Sequence, residues 1–174
     1  MTNNSFLTDK RILVVDDEWD VLESIYDHLS SARSLDITSD RDNALDCIAN
    51  NPYDFAILDI MSDHGIELLE ECVKKDIPAI ILISATAPRE LLMTAVKKGA
   101  VSYLAKKHTD ELKTLIYQLF ESQEQGDPAW KLMFKKLQEI TNGDFWTGSE
   151  KKWDISKGIQ QRLLHSKDIV DKGI

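Results

Sequence analysis

The sequence lacks the features that mark secreted, disulfide-bonded and membrane-spanning proteins. Its 174 residues include only two cysteines, Cys47 and Cys72, and neither has the CxxC or Cys/His spacing typical of metal sites. No run approaches the roughly 18 apolar residues that a membrane span requires. The N-terminal segment MTNNSFLTDKR has neither the basic nor the apolar region of a secretory signal. We therefore expect a cytoplasmic protein with free thiols and no association with membranes.

Motifs of three enzyme classes that handle phosphate groups are also absent. The first apolar run continues as VVDDEWD, where a dinucleotide-binding fold would have GxGxxG, and the P-loop pattern GxxxxGK[ST] does not occur. Met61 stands two residues after Asp59, where phosphatases of the haloacid dehalogenase type carry a second aspartate. These absences argue against a dehydrogenase, a P-loop enzyme and a phosphatase of that type.

Charge is distributed unevenly along the chain. Residues 1–125 contain 12 Lys and Arg against 23 Asp and Glu, whereas residues 126–174 contain 9 against 7. A polar run with Gly and Pro lies where the composition changes and is typical of a linker. We therefore predict an N-terminal tail over residues 1–9, an acidic domain over residues 10–122, a linker over residues 123–128 and a helical extension over residues 129–174.

The acidic part alternates between short apolar runs and helical apolar patterns. The runs of strand length are Ile12–Val15, Leu35–Thr38, Phe55–Leu58, Ala79–Ile83 and Val101–Leu104. The helical patterns that follow them are formed by Val21, Leu22, Ile25 and Leu29, by Ala44, Leu45 and Ile48, by Ile66, Leu69 and Val73, by Leu91, Leu92, Ala95 and Val96, and by Leu112, Leu115, Ile116 and Leu119. Five strands alternating with five helices predict a doubly wound α/β fold, in which helices cover both faces of a parallel sheet.

Polar residues stand where these predicted strands end. The first strand is followed by Asp16 and Asp17, the third by Asp59, the fourth by Ser84 and Ala85, and the fifth by Lys106 and Lys107. In such sheets ligands bind beyond the carboxyl ends of the strands. Carboxylates suit Mg²⁺, a lysine and a hydroxyl can bind a phosphoryl group, and an aspartate can be its acceptor. Singly, each residue also has a structural explanation, such as helix capping by the Asp16-Asp17 pair or a solvated charge at Lys106. Their joint placement favours a phosphoryl-acceptor site.

Four motifs in order give residues 10–121 a specific resemblance to the receiver domain of two-component response regulators. They are VVDD, LDIM, the Ser-Ala pair after the fourth strand and GAVSYLAK. The resemblance implies a flavodoxin-like sheet with strand order 2-1-3-4-5. It also implies that Asp59 accepts a phosphoryl group from a sensor histidine kinase or a histidine phosphotransfer protein, without turning over a separate substrate. The chain would thus act as a signalling switch rather than as an enzyme.

The resemblance assigns further roles to residues around Asp59. Asp16, Asp17, Asp59 and the backbone carbonyl of Met61 would hold Mg²⁺. Ser84, the backbone of Ala85 and Lys106 would bind the phosphoryl group. Ser84 and Tyr103 would change position on phosphorylation and report it.

This sequence departs from the family pattern at three places. The loop after LDIM is short, because Ser62-Asp63-His64 leads directly to Gly65, and Lys107 replaces the proline that normally follows the lysine in a cis peptide. Whether the Lys106-Lys107 peptide is cis or trans is therefore left open. Met61 and Thr86 occupy the two positions that tune phosphate lifetime, and Met61 offers no strong hydrogen bond to orient a water molecule. We predict slow hydrolysis of the aspartyl phosphate.

The C-terminal extension does not identify its own function. A first amphipathic helix is predicted from Asp127-Pro128 to Asn142-Gly143, and a second from Ser149. Residues 126–174 carry a net charge of only +2, and the extension lacks the concentrated basic face of a DNA reader, so we expect signalling through an as yet unidentified protein target. Two alternative functions stay open: a transcriptional regulator whose tail binds DNA, and a pseudo-receiver that is not phosphorylated. The extension is a candidate interaction or dimerisation element, and the resemblance also leaves open a homodimer formed through the fourth helix, fifth strand and fifth helix.

Overall fold

The computed structural model describes residues 4–127, with side chains from Phe6 onward. Its centre is a parallel sheet of five strands, which are β1 (Arg11–Val15), β2 (Ser34–Thr38), β3 (Phe55–Asp59), β4 (Ala79–Ile83) and β5 (Ser102–Ala105). The strands lie in the order β2-β1-β3-β4-β5, as predicted. The predicted strand bounds are confirmed to within one residue at each end; the largest change is in β5, which is shifted by one residue at both ends.

A helix follows each strand, as the alternating pattern predicts. The helices are α1 (Trp19–Leu29), α2 (Arg41–Asn50), α3 (Gly65–Lys74), α4 (Arg89–Lys98) and α5 (Leu112–Glu124). A 3₁₀ helix, Lys106–Glu111, connects β5 to α5. None of the helices within residues 4–127 is long and apolar enough to cross a bilayer. The two helices predicted for the C-terminal extension lie outside the described residues.

The core is formed by the inner strands and by one face of each helix. Every residue of β3 is buried, including Asp59. The predicted apolar faces of α1 and α5 are confirmed by the burial of Leu22, Ile25, Leu115 and Ile116. Each such side chain contributes roughly 1.5–3 kcal/mol of hydrophobic free energy when fully buried.

The predicted face of α3 is wrong in part. Leu69 is buried as predicted, but Ile66 and Val73 are only half-buried, and Leu68 and Cys72 are buried instead. Burial raises the pKa of the Cys72 thiol to about 12, so this cysteine is a protonated core residue at neutral pH. The buried face of α3 also includes its first residue, Gly65, which lies against the end of β3.

The predicted N-terminal tail contains a short ordered element. A 3₁₀ helix spans Asn4–Leu7, and Leu7 is fully buried. The ring of Phe6 contacts that of Tyr117 on α5 in an edge-to-face arrangement, with ring centroids 5.3 Å apart. This segment therefore adds apolar burial to the acidic domain.

Candidate functional site

Strand register brings four of the predicted site residues to one edge of the sheet. Val15 pairs with Leu58, so Asp16 and Asp59 lie side by side where β1 and β3 end. Ile83 pairs with Ala105, so Ser84 and Lys106 are neighbours where β4 and β5 end. The carboxyl ends of four parallel strands thus converge on Asp59, as expected for the binding edge of such a sheet.

The Lys106 ammonium lies among three carboxylates. Its Nζ is 3.0 Å from Oδ2 of Asp59, 3.1 Å from Oδ1 of Asp16 and 2.6 Å from Oε1 of Glu18. Asp16 and Asp59 are buried, whereas Glu18 is exposed. Burial alone would lower the pKa of Lys106, but its interactions with the acceptor carboxylates of Glu18, Asp59 and Asp16 outweigh this effect and raise the pKa above its ordinary value. Lys106 is therefore a permanent cation that neutralises part of the acidic site.

Backbone groups orient Asp59 from the other side. Oδ1 of Asp59 accepts a hydrogen bond of 2.8 Å from the Met61 N–H. The hydroxyl of Ser62 donates to the Asp59 carbonyl at 3.1 Å, and the Gly65 N–H donates to the Ser62 carbonyl at 3.1 Å. The short loop therefore folds tightly back onto β3 and holds the Asp59 carboxylate in one orientation.

Asp16 carries the most unusual carboxylate of the site. Its Oδ1 accepts hydrogen bonds from Lys106 and from the Glu18 N–H, but its buried Oδ2 has no hydrogen-bond partner. Burial raises the pKa of Asp16 to about 6, and the neighbouring charge of Asp59 adds to the rise, whereas the two hydrogen bonds oppose it. An unpartnered buried carboxylate oxygen of this kind is a good ligand for a hard cation.

The raised pKa of Asp16 predicts a pH dependence of stability in metal-free protein. Between its ordinary value of 3.8 and about 6, the folded protein binds more protons than the unfolded chain, so stability falls as the pH rises through this range. We expect the free energy of unfolding to be higher at pH 5 than at pH 7.5 by about 1 kcal/mol from this group alone. Urea denaturation in EDTA of the wild type and of Asp16→Asn isolates the contribution. An equal rise in the free energy of unfolding from pH 7.5 to pH 5 in both proteins would contradict a contribution from Asp16.

The acidic residues after β1 form a cluster suited to a divalent cation. One carboxylate oxygen each from Asp16, Asp17 and Glu18 lies within 4.8 Å of the others. Asp17 and Glu18 are exposed, so they face the open side of the site. The donor set of hard oxygens, together with the unpartnered Oδ2 of Asp16, fits Mg²⁺.

The remaining predicted residues lie in the loops and strands around this centre. Ser84 and Thr86 follow β4, and their hydroxyl oxygens are 3.2 Å apart. Ala85 and Thr86 are exposed, and Met61 is 37% exposed. Tyr103 on β5 is buried. Ser84 and Tyr103, the two predicted switch residues, are thus half-buried and buried in this conformation.

The segment after Lys106 shows how the chain accommodates Lys107. No peptide bond within residues 4–127 is cis, so the Lys106-Lys107 peptide is trans. The 3₁₀ helix begins at Lys106, and the Thr109 hydroxyl forms a hydrogen bond of 2.7 Å with that of Ser24 on α1. A hydrogen bond to α1 therefore anchors the segment that carries Lys106.

The sequence interpretation missed Glu18. This residue makes the shortest of the three contacts to Lys106, yet it was visible in the sequence only as a third acidic residue after Asp16 and Asp17. An acidic residue at the start of a helix has an ordinary explanation as a favourable partner of the helix dipole. Its contact with a lysine 88 positions away could not be read from spacing.

Comparisons with known proteins agree with this geometry. Residues 12–117 match the family model described as the response regulator receiver domain. Response regulator MprA of Mycobacterium sp. (strain KMS) is 32% identical over 147 residues, which cover 76% of this chain and 64% of that protein. The chain thus spans less than two thirds of the length of this curated relative.

Two solved structures show the same fold at moderate identity. The receiver domain of the Francisella response regulator 1452 is 30% identical, with a TM-score of 0.56, covering 66% of this chain and 99% of that one. A CheY-like response regulator receiver domain protein from Methanospirillum hungatei JF-1 is 26% identical, with a TM-score of 0.59, covering 68% and 98%. The family match and the strand order agree, and this chain belongs to the response regulator receiver domain family.

Proposed function

We propose that Asp59 accepts a phosphoryl group from a phosphohistidine of a sensor histidine kinase or phosphotransfer protein. The observation that carries the proposal is the Lys106 ammonium, which bridges Asp59 and Asp16 at 3.0 and 3.1 Å. In the transfer, an Asp59 carboxylate oxygen forms a bond to phosphorus while the bond from phosphorus to the histidine nitrogen breaks. Lys106 provides a fixed positive charge for the phosphoryl oxygens.

Mg²⁺ would be held by Asp16, Asp17, Asp59 and the backbone carbonyl of Met61. When bound, it would neutralise charge on the transferring phosphoryl group. The buried Oδ2 of Asp16, which lacks a partner, supports this assignment. The Met61 N–H keeps one Asp59 oxygen in place, so the carboxylate approaches phosphorus in a defined orientation.

The loop after β4 and Tyr103 would couple phosphorylation to a change of conformation. We infer that Ser84 and the Ala85 backbone bind phosphoryl oxygens and draw this loop inward, and that Tyr103 shifts in response. Such a change is a population shift biased by a local charge. Met61 occupies one of the two positions that tune phosphate lifetime and offers no strong hydrogen bond to orient an attacking water, which supports a long-lived aspartyl phosphate.

Phosphorylation by a small donor tests the proposal without the cognate kinase. With Mg²⁺ and acetyl phosphate, the full chain should gain the mass of one phosphoryl group, and EDTA should prevent the gain. Asp59→Asn should abolish it, because the amide cannot act as the acceptor. Asp76→Asn makes the same change at an exposed residue beyond the far end of α3 and should remain phosphorylated. A wild type that gains no mass, or equal gain in Asp59→Asn, would show a pseudo-receiver or a different acceptor.

A further inference from the structure

The side chain of Glu18 does not cap the helix that it precedes. It is the N-cap residue of α1, yet its carboxylate makes no capping hydrogen bond. Instead, Oε1 lies 2.6 Å from the Lys106 Nζ. The Glu18 side chain is 61% exposed, whereas that of Lys106 is 11% exposed. An exposed carboxylate thus forms an ion pair with a nearly buried ammonium.

The contact with Glu18 completes a set of three carboxylates around Lys106. Its Nζ donates hydrogen bonds to Asp16 and Glu18 and lies 3.0 Å from Asp59 in an ion pair. An ammonium has three N–H donors, so these carboxylates match its donors in number before any phosphoryl group is present. A phosphoryl oxygen can take a hydrogen bond from Lys106 only if one of these carboxylates moves away.

Glu18 is the acceptor that can be released at the lowest cost. Asp16 and Asp59 are buried, and a buried carboxylate that loses its cation pays a large desolvation penalty. The carboxylate of Glu18 is exposed and can be hydrated again when Lys106 leaves. Lys106 therefore exchanges its contact with Glu18 for a contact with the phosphoryl group.

We propose that Glu18 is a positioning residue that holds Lys106 in the unphosphorylated protein and competes with the phosphoryl group for its ammonium. The inference rests on the function proposed above. Glu18 stabilises the unphosphorylated state and so lowers the occupancy of the phosphorylated one. Neutralising it should shift the balance toward the phosphorylated conformation.

Beryllofluoride, a phosphoryl mimic, tests the competition at saturating Mg²⁺. Glu18→Gln keeps the length of the side chain and removes its charge, and should bind beryllofluoride about threefold to fivefold more tightly, as expected for an exposed ion pair. Glu23→Gln makes the same change at an exposed residue of α1 and should match the wild type. Binding is followed by the fluorescence of Trp19, which is 65% exposed beside Glu18, with Trp19→Phe as the background.

A second measurement, made on metal-free protein, tests whether Glu18 restrains the Lys106 ammonium. The ¹⁵Nζ signal of Lys106, assigned by its loss in Lys106→Met, should show slower hydrogen exchange in the wild type than in Glu18→Gln. Equal exchange in the two proteins, or beryllofluoride binding by Glu18→Gln no tighter than by Glu23→Gln, overturns the inference. A wild type that binds no beryllofluoride contradicts the proposed function instead, while the exchange measurement still decides the role of Glu18.

Discussion

Replacing Lys106 by methionine should destabilise the metal-free protein by about 2–3 kcal/mol at pH 7.5. The same change should tighten Mg²⁺ binding about tenfold. Methionine retains much of the apolar volume of the lysine stem, so the expected effects arise from the lost charge. They are the largest that we expect from a single charge change in this domain.

The loss of stability follows from the burial of the partners. Asp16 and Asp59 lie side by side at the ends of β1 and β3, and Lys106 is the cation within 3.1 Å of both. Without it, two buried carboxylates face each other unneutralised. Their repulsion raises the pKa of Asp16 further above its unfolded value, so the deficit should shrink as the pH falls from 7.5 to 5 and this carboxyl group becomes protonated.

The gain in Mg²⁺ affinity follows from competition for the same oxygens. An ammonium near the metal-binding carboxylates repels a divalent cation and must move before the ion can approach. Lys106→Met removes this obstacle, although it also removes the cation proposed to bind the phosphoryl group. Stability and metal affinity should thus change in opposite directions, which general damage to the fold would not produce.

Lys107→Met is the matched control. Lys107 is exposed and adjacent, so its loss changes the net charge equally without removing a partner of Asp16 or Asp59. Its stability, measured by urea denaturation in EDTA, should be close to that of the wild type. Its affinity for Mg²⁺, measured by Trp19 fluorescence, should also be close to that of the wild type. If both lysine variants lose the same stability, or if Mg²⁺ binds Lys106→Met more weakly, then the ammonium does not act as described.

The alternation of apolar and polar segments along the chain predicted the fold well because all strands are short and the inner ones, β1, β3 and β4, are largely buried. Apolar runs such as Ile12–Val15 and Ala79–Ile83 are too short for helices and lack polar alternation, which favours a parallel sheet covered on both faces. The convergence of Asp16, Asp59 and Lys106 could also be predicted, since parallel strands end at one edge. Their chemical roles remain proposals.

Features that depend on side-chain reach or helix rotation could not be predicted in the same way. The contact between Glu18 and Lys106 joins an exposed residue to a distant strand end, and no periodicity encodes it. The face of α3 was misjudged because apolar residues occupy more than one side of this helix. The buried positions Gly65, Leu68, Leu69 and Cys72 follow the i, i+3, i+4, i+7 pattern only once Gly65 is counted as part of the face.

Substituting alanine for Gly65 should therefore be among the most damaging small changes, with a loss of about 3 kcal/mol in the free energy of unfolding. A Cβ atom at this position would lie 2.4 Å from the Asp59 carbonyl oxygen and 2.7 Å from the Ile60 Cα. Both neighbours are backbone atoms at the end of a buried strand, so no side chain can rotate away. Either α3 or the end of β3 must shift.

The shift should also reduce phosphorylation, because Asp59 is part of the backbone that Gly65 contacts. The hydrogen bonds that fold the short loop, from Ser62 to the Asp59 carbonyl and from Met61 to the Asp59 carboxylate, span the same few residues. Moving the strand end would turn the acceptor away from Lys106. We expect slower incorporation from acetyl phosphate even at temperatures where Gly65→Ala remains folded.

Gly126→Ala separates this steric effect from the general cost of replacing glycine. A Cβ there would meet no atom within 4 Å, although the φ of +75° strains any other residue by about 1 kcal/mol. Urea denaturation should thus rank Gly65→Ala well below Gly126→Ala in stability, and only the former should lose phosphorylation. Near-equal stability of the two variants would mean that α3 can move away from β3 freely, and the short loop would then not be what holds Asp59 in place.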